Sequence, residues 1–275
     1  MRILIAGAAG QLGRALAAPL AGHELTALPR AGLDIADLAA VRDVVRAQRP
    51  DLVINAAAYN RVDDAEADST AAYRGNALGP RNLALATAEV AIPLVHVSSD
   101  YVFDGLAARP YHEFDRPDPR SAYGRSKLAG EVAVRELNAR HYVVRTAWVY
   151  AAQGGNFPRT ILSLGERAEV RVVDDQTGSP TYAPHLAAAI ARLITTSAFG
   201  TYHFAGAGAV TWYALTRKLY ELRGIRTPVI AVTSAEFLRA APRPRYSVLT
   251  TIQEPRIVLP PWEDGLAEFC RMLEG

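Results

Sequence analysis

The chain has 275 residues, half of them hydrophobic, and a formal net charge of +2 at neutral pH. That length holds one large domain or a domain with an appendage, and the scattered Lys and Arg leave no basic surface for a nucleic acid. A single cysteine, Cys270, excludes an internal disulfide and a thiolate metal cluster. With no charged leader and no apolar run of roughly 18 residues, a cytoplasmic protein without membrane partners is expected.

Short β-rich apolar runs alternate with amphipathic helical stretches. Strands are predicted at Arg2 to Ala6, Glu24 to Leu28, Leu52 to Ala56, Leu94 to Val97 and Tyr142 to Thr146. Between them, helices are predicted at Leu12 to Ala18, Leu38 to Ala47, Thr70 to Val90 and Ala122 to Leu137. Asp37 and Ser69 read as N-caps, Pro50 closes the second helix, and Gly79-Pro80 should kink the third. This alternation predicts an α/β fold, a doubly wound parallel sheet of the Rossmann kind, over residues 1–150. Residues 151–275 read mainly as a smaller, irregular substrate-binding lobe, with some segments returning to the first domain. It would hold helices at Pro184 to Ile194 and Trp212 to Arg223, and strands at Val170 to Val173 and Gly200 to Phe204. His96 and His203 read as satisfied structural histidines, and no His, Asp and Glu group has metal-ligand spacing, so no metal is expected.

Gly7-Ala8-Ala9-Gly10-Gln11-Leu12-Gly13 follows the first strand and opens a helix. Gly7 permits the tight turn, Gly10 lets backbone approach a pyrophosphate, and Gly13 allows close helix–strand packing. The position of this GxxGxxG run, after an N-terminal strand and before an amphipathic helix, is what makes it informative. Arg30, after the second strand, could meet a 2′-phosphate or be a solvated arginine. Asp34 follows later than the usual acidic marker of NAD binding. NADPH is the expected cofactor, with NADH the alternative.

Ser99 lies in the run Ser98 to Gly105, and Tyr123 stands four residues before Lys127. On a helix those two side chains share a face. An ammonium beside a phenol should lower a pKa that is about 10 unperturbed, giving a proton donor suited to ketone–alcohol interconversion.

With these motifs go Asn55-Ala56-Ala57-Ala58-Tyr59, Asn76 to Ala84, Arg145 to Tyr150 and Asp175-Gln176-Thr177-Gly178-Ser179-Pro180-Thr181-Tyr182. Together they make the chain resemble the extended short-chain dehydrogenase/reductases, and within them the dTDP-4-dehydrorhamnose reductase family, over nearly its whole length. The resemblance implies NAD(P)H-dependent reduction of a dTDP-linked 4-keto-6-deoxyhexose. It makes Tyr123 the general acid, Lys127 the holder of the nicotinamide ribose, and Ser99 the hydroxyl on the sugar carbonyl. Gly10, Gln11 and Leu12 would hold the pyrophosphate, Asp34 and Ile35 would border the adenine, and Ala58, Tyr59 and Asn60 would line the cofactor cleft. Asp100, Trp148 and Asn156 would touch the substrate. Arg61 departs from the family pattern beside that cleft. Ala15 stands where some relatives carry a glutamate that holds a dimer-linking magnesium, so a monomer or weak homodimer is expected. Two other readings are a reductase of another nucleotide-activated keto-deoxysugar and a non-catalytic regulatory subunit of a methionine adenosyltransferase.

Overall fold

Strand β1 (Arg2–Ala6) is apolar on both faces, with Ile3, Leu4 and Ile5 all buried, and so must lie inside a sheet covered on both sides. The computed structural model describes residues 1–274. After β1 come α1 (Gln11–Ala15), β2 (Glu24–Leu28), α2 (Leu38–Gln48), β3 (Leu52–Asn55), α3 (Asp64–Ala67), α4 (Ser69–Tyr73) and α5 (Gly79–Glu89). There follow β4 (Leu94–Val97), α6 (Ala122–Leu137), β5 (His141–Arg145), β6 (Val149–Tyr150), α7 (Phe157–Leu162), β7 (Val170–Val173), β8 (Thr177–Gly178) and β9 (Thr181–Tyr182). The remainder is α8 (Ala183–Leu193), β10 (Gly200–His203), β11 (Val210–Thr211), α9 (Trp212–Leu222), β12 (Val229–Val232) and α10 (Trp262–Met272).

Six strands form one sheet in the order β10-β5-β4-β3-β1-β2, every pairing parallel. One face packs Ile3, Ile5 and Val144 against Leu186 and Ile190 of α8. The other packs Leu4 and Val53 against Val41 of α2, Leu83 of α5 and Val134 of α6. The chain goes from β1 to β2 on one side and fills the other side with β3 onward. The strand order therefore reverses between β1 and β3, where the carboxyl ends of parallel strands leave a crevice. A separate core built on Tyr150, Val172, Leu215, Leu219, Leu266 and Phe269 holds the C-terminal lobe. Strand β10 and helix α8 lie with the large sheet although both come after residue 150.

Three expectations need correction. Helix α4 is capped by Asp68, whose carboxylate accepts from the Ala71 N–H, and not by Ser69, which is its first residue. The irregularity expected at Gly79-Pro80 lies one turn earlier, as a π turn over Arg74–Leu78. Pro80 has no N–H for the carbonyl four residues back, that of Asn76. That carbonyl faces α6, where a Cβ on Gly130 would stand 2.1 Å from it. The first helix stops at Ala15, three residues short of the predicted end. Strand β12 and helix α10 carried no reading from the sequence.

Glu131 ties α6 to the sheet. Its carboxylate is fully buried and accepts from Ser98 Oγ at 2.5 Å, from Arg145 Nε and Nη2 at 3.0 and 2.8 Å, and from Arg135 at 2.9 Å. Burial alone would raise its pKa, but the Arg145 charge and hydrogen bonds outweigh that and hold it at about 2. Removing one partner of such a pair strands a buried charge. Glu131→Ala should therefore cost about 3–5 kcal/mol in chemical denaturation. The pair's contribution is complete above the ordinary carboxyl pKa of 4.5 and is lost as pH falls through about 2. The stability of Glu131→Gln should accordingly fall less steeply with acid than that of the wild type.

Candidate active site

A cleft of about 320 Å³ opens at the switch between β1 and β3. Gly7 and Gly10 line it, with Arg30, Asp34, Ile35, Ala58, Tyr59 and Asn60. Eight of the predicted cofactor residues thus share one cavity. The glycines divide by function. Gly7 has φ +81°, and a Cβ on it would meet the Ala57 amide at 2.5 Å. A Cβ on Gly13 would stand 2.4 Å from the Gly7 carbonyl. Gly7 keeps the turn packed on the segment after β3, and Gly13 keeps α1 packed on the turn. A Cβ on Gly10 would touch only the Gly7 carbonyl, at 3.3 Å, so that side of the cradle is open for a ligand's approach.

The rim of the cleft is charged. Asp34 accepts from the Ala36 N–H at 3.0 Å and pairs with Arg74 at 3.1 Å. The backbone bond first, then Arg74, holds its carboxyl below the usual range. Arg30 stands on the same rim with no ion-pair partner among the described residues. Arg61 lies 5.1 Å from the Tyr59 ring centre and 3.5 Å from Asp64.

Gln11, Leu12, Gly13, Tyr123 and Lys127, also expected at the cofactor, do not line the cavity. Leu12 is buried in the core. Gln11 Oε1 accepts from Asn156 Nδ2 at 2.9 Å. Asn156 in turn caps α7 through the Arg159 N–H and donates to the Ala151 carbonyl. Its amide thus joins the cradle to the C-terminal lobe.

Helix α6 presents Tyr123 and Lys127 on one buried face. Ser121 starts the helix, its hydroxyl accepting from the Gly124 N–H. Tyr123 packs with Tyr59, a wall of the cleft, and meets the Tyr101 ring edge-on at 5.4 Å between centres. Ser99, after β4, neighbours the Tyr123 phenol and favours its ionised form. The expected lowering of the phenol pKa is reversed. Burial pushes it up to about 12, and the Ser99 hydroxyl only opposes this. The Lys127 ammonium donates instead to the Val97 carbonyl at 2.7 Å, and burial brings its own pKa down to about 8. Tyr123 is therefore a neutral phenol at neutral pH, a donor and not a poised base.

Asp100 is 2% exposed. Its Oδ1 contacts Ser99 Oγ at 3.0 Å, and its Oδ2 is buried without a partner. Trp148 has φ +48° and stacks on Trp212, centres 3.3 Å apart. A positive φ on so bulky a residue needs its surroundings to hold it. Gly178 does so, since a Cβ there would fall 2.4 Å from the indole.

Asn76 and Glu131 position the site and were not singled out as site residues. Asn76 accepts from the Tyr59 N–H at 2.8 Å and donates to the Tyr59 carbonyl and to Ser126 Oγ, both at 3.0 Å. It pins the cleft wall to the helix that carries Tyr123. The spacing Tyr123, Lys127, Glu131 places all three on one helical face, which was the available signal. Arg243 grips Asp63 with two bonds of 2.8 Å and is not free for a phosphate. Both ring nitrogens of His203 are bonded. His96 bonds Asn55 through Nδ1, while its buried Nε2 has no partner.

A parallel sheet with a glycine cradle at its switch point and a Ser, Tyr and Lys set beside it defines an oxidoreductase-type nucleotide fold. The chain belongs to the family described as the RmlD substrate binding domain, whose pattern matches residues 1–274. It is similar to a dTDP-4-dehydrorhamnose reductase of Clostridium acetobutylicum, with a TM-score of 0.98, 40% identity and all of both chains covered. The Bacillus anthracis dTDP-4-dehydrorhamnose reductase in complex with NADP is also 40% identical, with a TM-score of 0.95, covering 100% of this chain and 99% of that one. A dTDP-4-dehydrorhamnose reductase of Streptomyces griseus is 42% identical over 100% of this chain and 94% of its own.

The open side of Gly10 makes a direct test. Gly10→Ala should fold with a melting temperature close to wild type. In isothermal titration it should bind a nicotinamide dinucleotide roughly 10- to 100-fold more weakly, the effect of about 1–3 kcal/mol of overpacking at the contact.

Proposed function

We propose that this protein reduces the 4-keto group of dTDP-4-dehydro-L-rhamnose to give dTDP-L-rhamnose, using NADPH. The observation that carries this reading is the buried Tyr123, with Ser99 beside it, packed on Tyr59 in the wall of the glycine-lined cleft. The names of the full-length relatives and the NADP in the Bacillus anthracis structure support the substrate and the cofactor.

Gly7 and Gly10 would border the pyrophosphate, Asp34 and Ile35 the adenosine, and Ala58, Tyr59 and Asn60 the face of the cleft next to Tyr123. Arg30, without an ion-pair partner, would meet a 2′-phosphate and so favour NADPH over NADH. When bound, the reduced nicotinamide supplies a hydride to the sugar carbonyl. Negative charge then grows on the carbonyl oxygen. Tyr123 Oη would donate a hydrogen bond to that oxygen and give up its proton. Ser99 Oγ would donate a second bond, so the two donors favour the transition state over the ketone. Lys127, buried against the Val97 carbonyl, would hold the cofactor ribose. Trp148, fixed by Trp212 and Gly178, would flank the sugar.

Two outcomes test this. Purified protein should oxidise NADPH when given dTDP-4-dehydro-L-rhamnose, and Tyr123→Phe should lower kcat about 10²- to 10⁴-fold while binding NADPH as before. Turnover only on a different dTDP-linked keto sugar would reassign the substrate, and full activity of Tyr123→Phe would remove the mechanism. Lys127 loses its proton as pH rises through about 8, so kcat/KM should fall on that side.

A further inference from the structure

Ser99 has one proton to give, and three neighbours compete for its oxygen. The Tyr101 N–H donates to Oγ at 3.2 Å and occupies one lone pair. Asp100 Oδ1 stands 3.0 Å away and must either accept the Ser99 proton or donate into its second lone pair. The Tyr123 phenol is the third. An ionised carboxylate only accepts. With Asp100 ionised, the Ser99 proton points at Asp100, and the face towards Tyr123 offers a lone pair that competes for the phenol proton. A proton on Oδ2 would have no partner to donate to, so the neutral acid carries it on Oδ1, donates to Ser99, and fills both Ser99 lone pairs. The Ser99 proton can then point only towards Tyr123 and a substrate oxygen.

We propose that Asp100 is a positioning residue that sets the direction of the Ser99 hydroxyl, and that the reducing form of the enzyme carries Asp100 as the neutral acid. This rests on the proposed ketone reduction and gives Asp100 a task other than touching the sugar. The surroundings suit a neutral acid. The residue is 2% exposed, and its Oδ2 is buried with no partner, an arrangement that penalises a charge. Its amide is fixed by the Thr146 carbonyl at 2.9 Å at the end of β5. The groups that face it are Ser99 and Tyr101 on its own turn, Tyr123 on α6, and Ser247 from the C-terminal segment. The Asp63–Arg243 pair lies one residue further out, acting on Tyr101. Among the described residues no Lys, Arg or His forms an ion pair with Asp100, and the nearest pair, Arg243 with Asp63, is self-contained. Burial raises its pKa to about 6, and the neighbouring Ser99 and Ser247 hydroxyls only partly oppose this.

The test is the pH dependence of NADPH-driven reduction by wild type, Asp100→Asn, Ser99→Ala and the double variant. Wild-type kcat/KM should fall about tenfold between pH 5 and pH 7 as Asp100 ionises, before the separate Lys127 fall near pH 8. In Asp100→Asn the amide nitrogen donates to Ser99 at every pH, so that fall should disappear. In a Ser99→Ala background, Asp100→Asn should change nothing further. A fall that persists in Asp100→Asn, or a variant altered only in KM, overturns the proposal in favour of a direct sugar contact.

A second readout needs no turnover, and it separates failure here from failure of the proposed reaction. An infrared titration should show a carboxylic-acid band that is absent from Asp100→Asn and disappears through about pH 6. In Ser99→Ala its midpoint should move to higher pH, because the lost hydrogen bond had favoured the ionised form. No such band, or one indifferent to Ser99→Ala, overturns the proposal even if the enzyme reduces its sugar.

Discussion

A single buried carboxylate holds the geometry together. Glu131 sits one helical turn beyond Lys127 and joins Ser98 at the end of β4 to Arg145 at the end of β5. A charge of this kind survives in the interior only when its partners are complete, and here three side chains surround it. The consequence is positional. Ser98 is bonded to Ser99, and Tyr123 and Lys127 share the helix with Glu131, so one network fixes the distance between the strand-end hydroxyl and the phenol. Asn76 adds a second tie, from Ser126 on the same helix to the Tyr59 backbone in the cleft wall. The carbonyl that Pro80 leaves free lets α5 meet α6 closely at Gly130.

The sheet and the helix contribute different things. Order reversal between β1 and β3 produces the crevice, and the glycines after β1 keep its floor narrow where Gly7 packs on Ala57. Tyr123 packs beside that crevice through Tyr59, and around it burial decides protonation. Tyr123 stays a neutral phenol, Lys127 gives up its proton more easily than a free lysine, and Asp100 keeps its proton longer than a free aspartate. Each shift has desolvation as its largest cause, so the environment sets these states more than any pair of charges does.

Much of this was legible in the sequence because it is periodic or local. The strands Arg2–Ala6, Glu24–Leu28, Leu94–Val97 and Val170–Val173 and the helix Ala122–Leu137 have the predicted bounds, being short apolar runs or an amphipathic stretch with a serine cap. In the cleft set, Gly7, Gly10, Arg30 and Asp34 follow from positions after β1 and β2, whereas Ile35, Ala58, Tyr59 and Asn60 came from the family resemblance. The failures are long-range. The bond from Asn156 to Gln11, 145 residues away, has no local sign. Ser247 reaches Asp100 from a loop whose composition gives no sign of it. The Tyr123 pKa was expected to fall because i, i+4 spacing shows the lysine but not the burial or the Val97 carbonyl that accepts its hydrogen bond. Strand β12 pairs only with β7, 59 residues earlier by register, and has no partner nearby in sequence.

The central claim is that the sugar carbonyl is held between two hydroxyls of fixed separation. A crystal structure of the protein with NADP and dTDP-L-rhamnose tests it most directly. The account predicts the C4 oxygen within hydrogen-bonding distance of both Tyr123 Oη and Ser99 Oγ, with α6 unmoved against β4. An oxygen bound to neither, or to Asp100 with Ser99 turned aside, would contradict it.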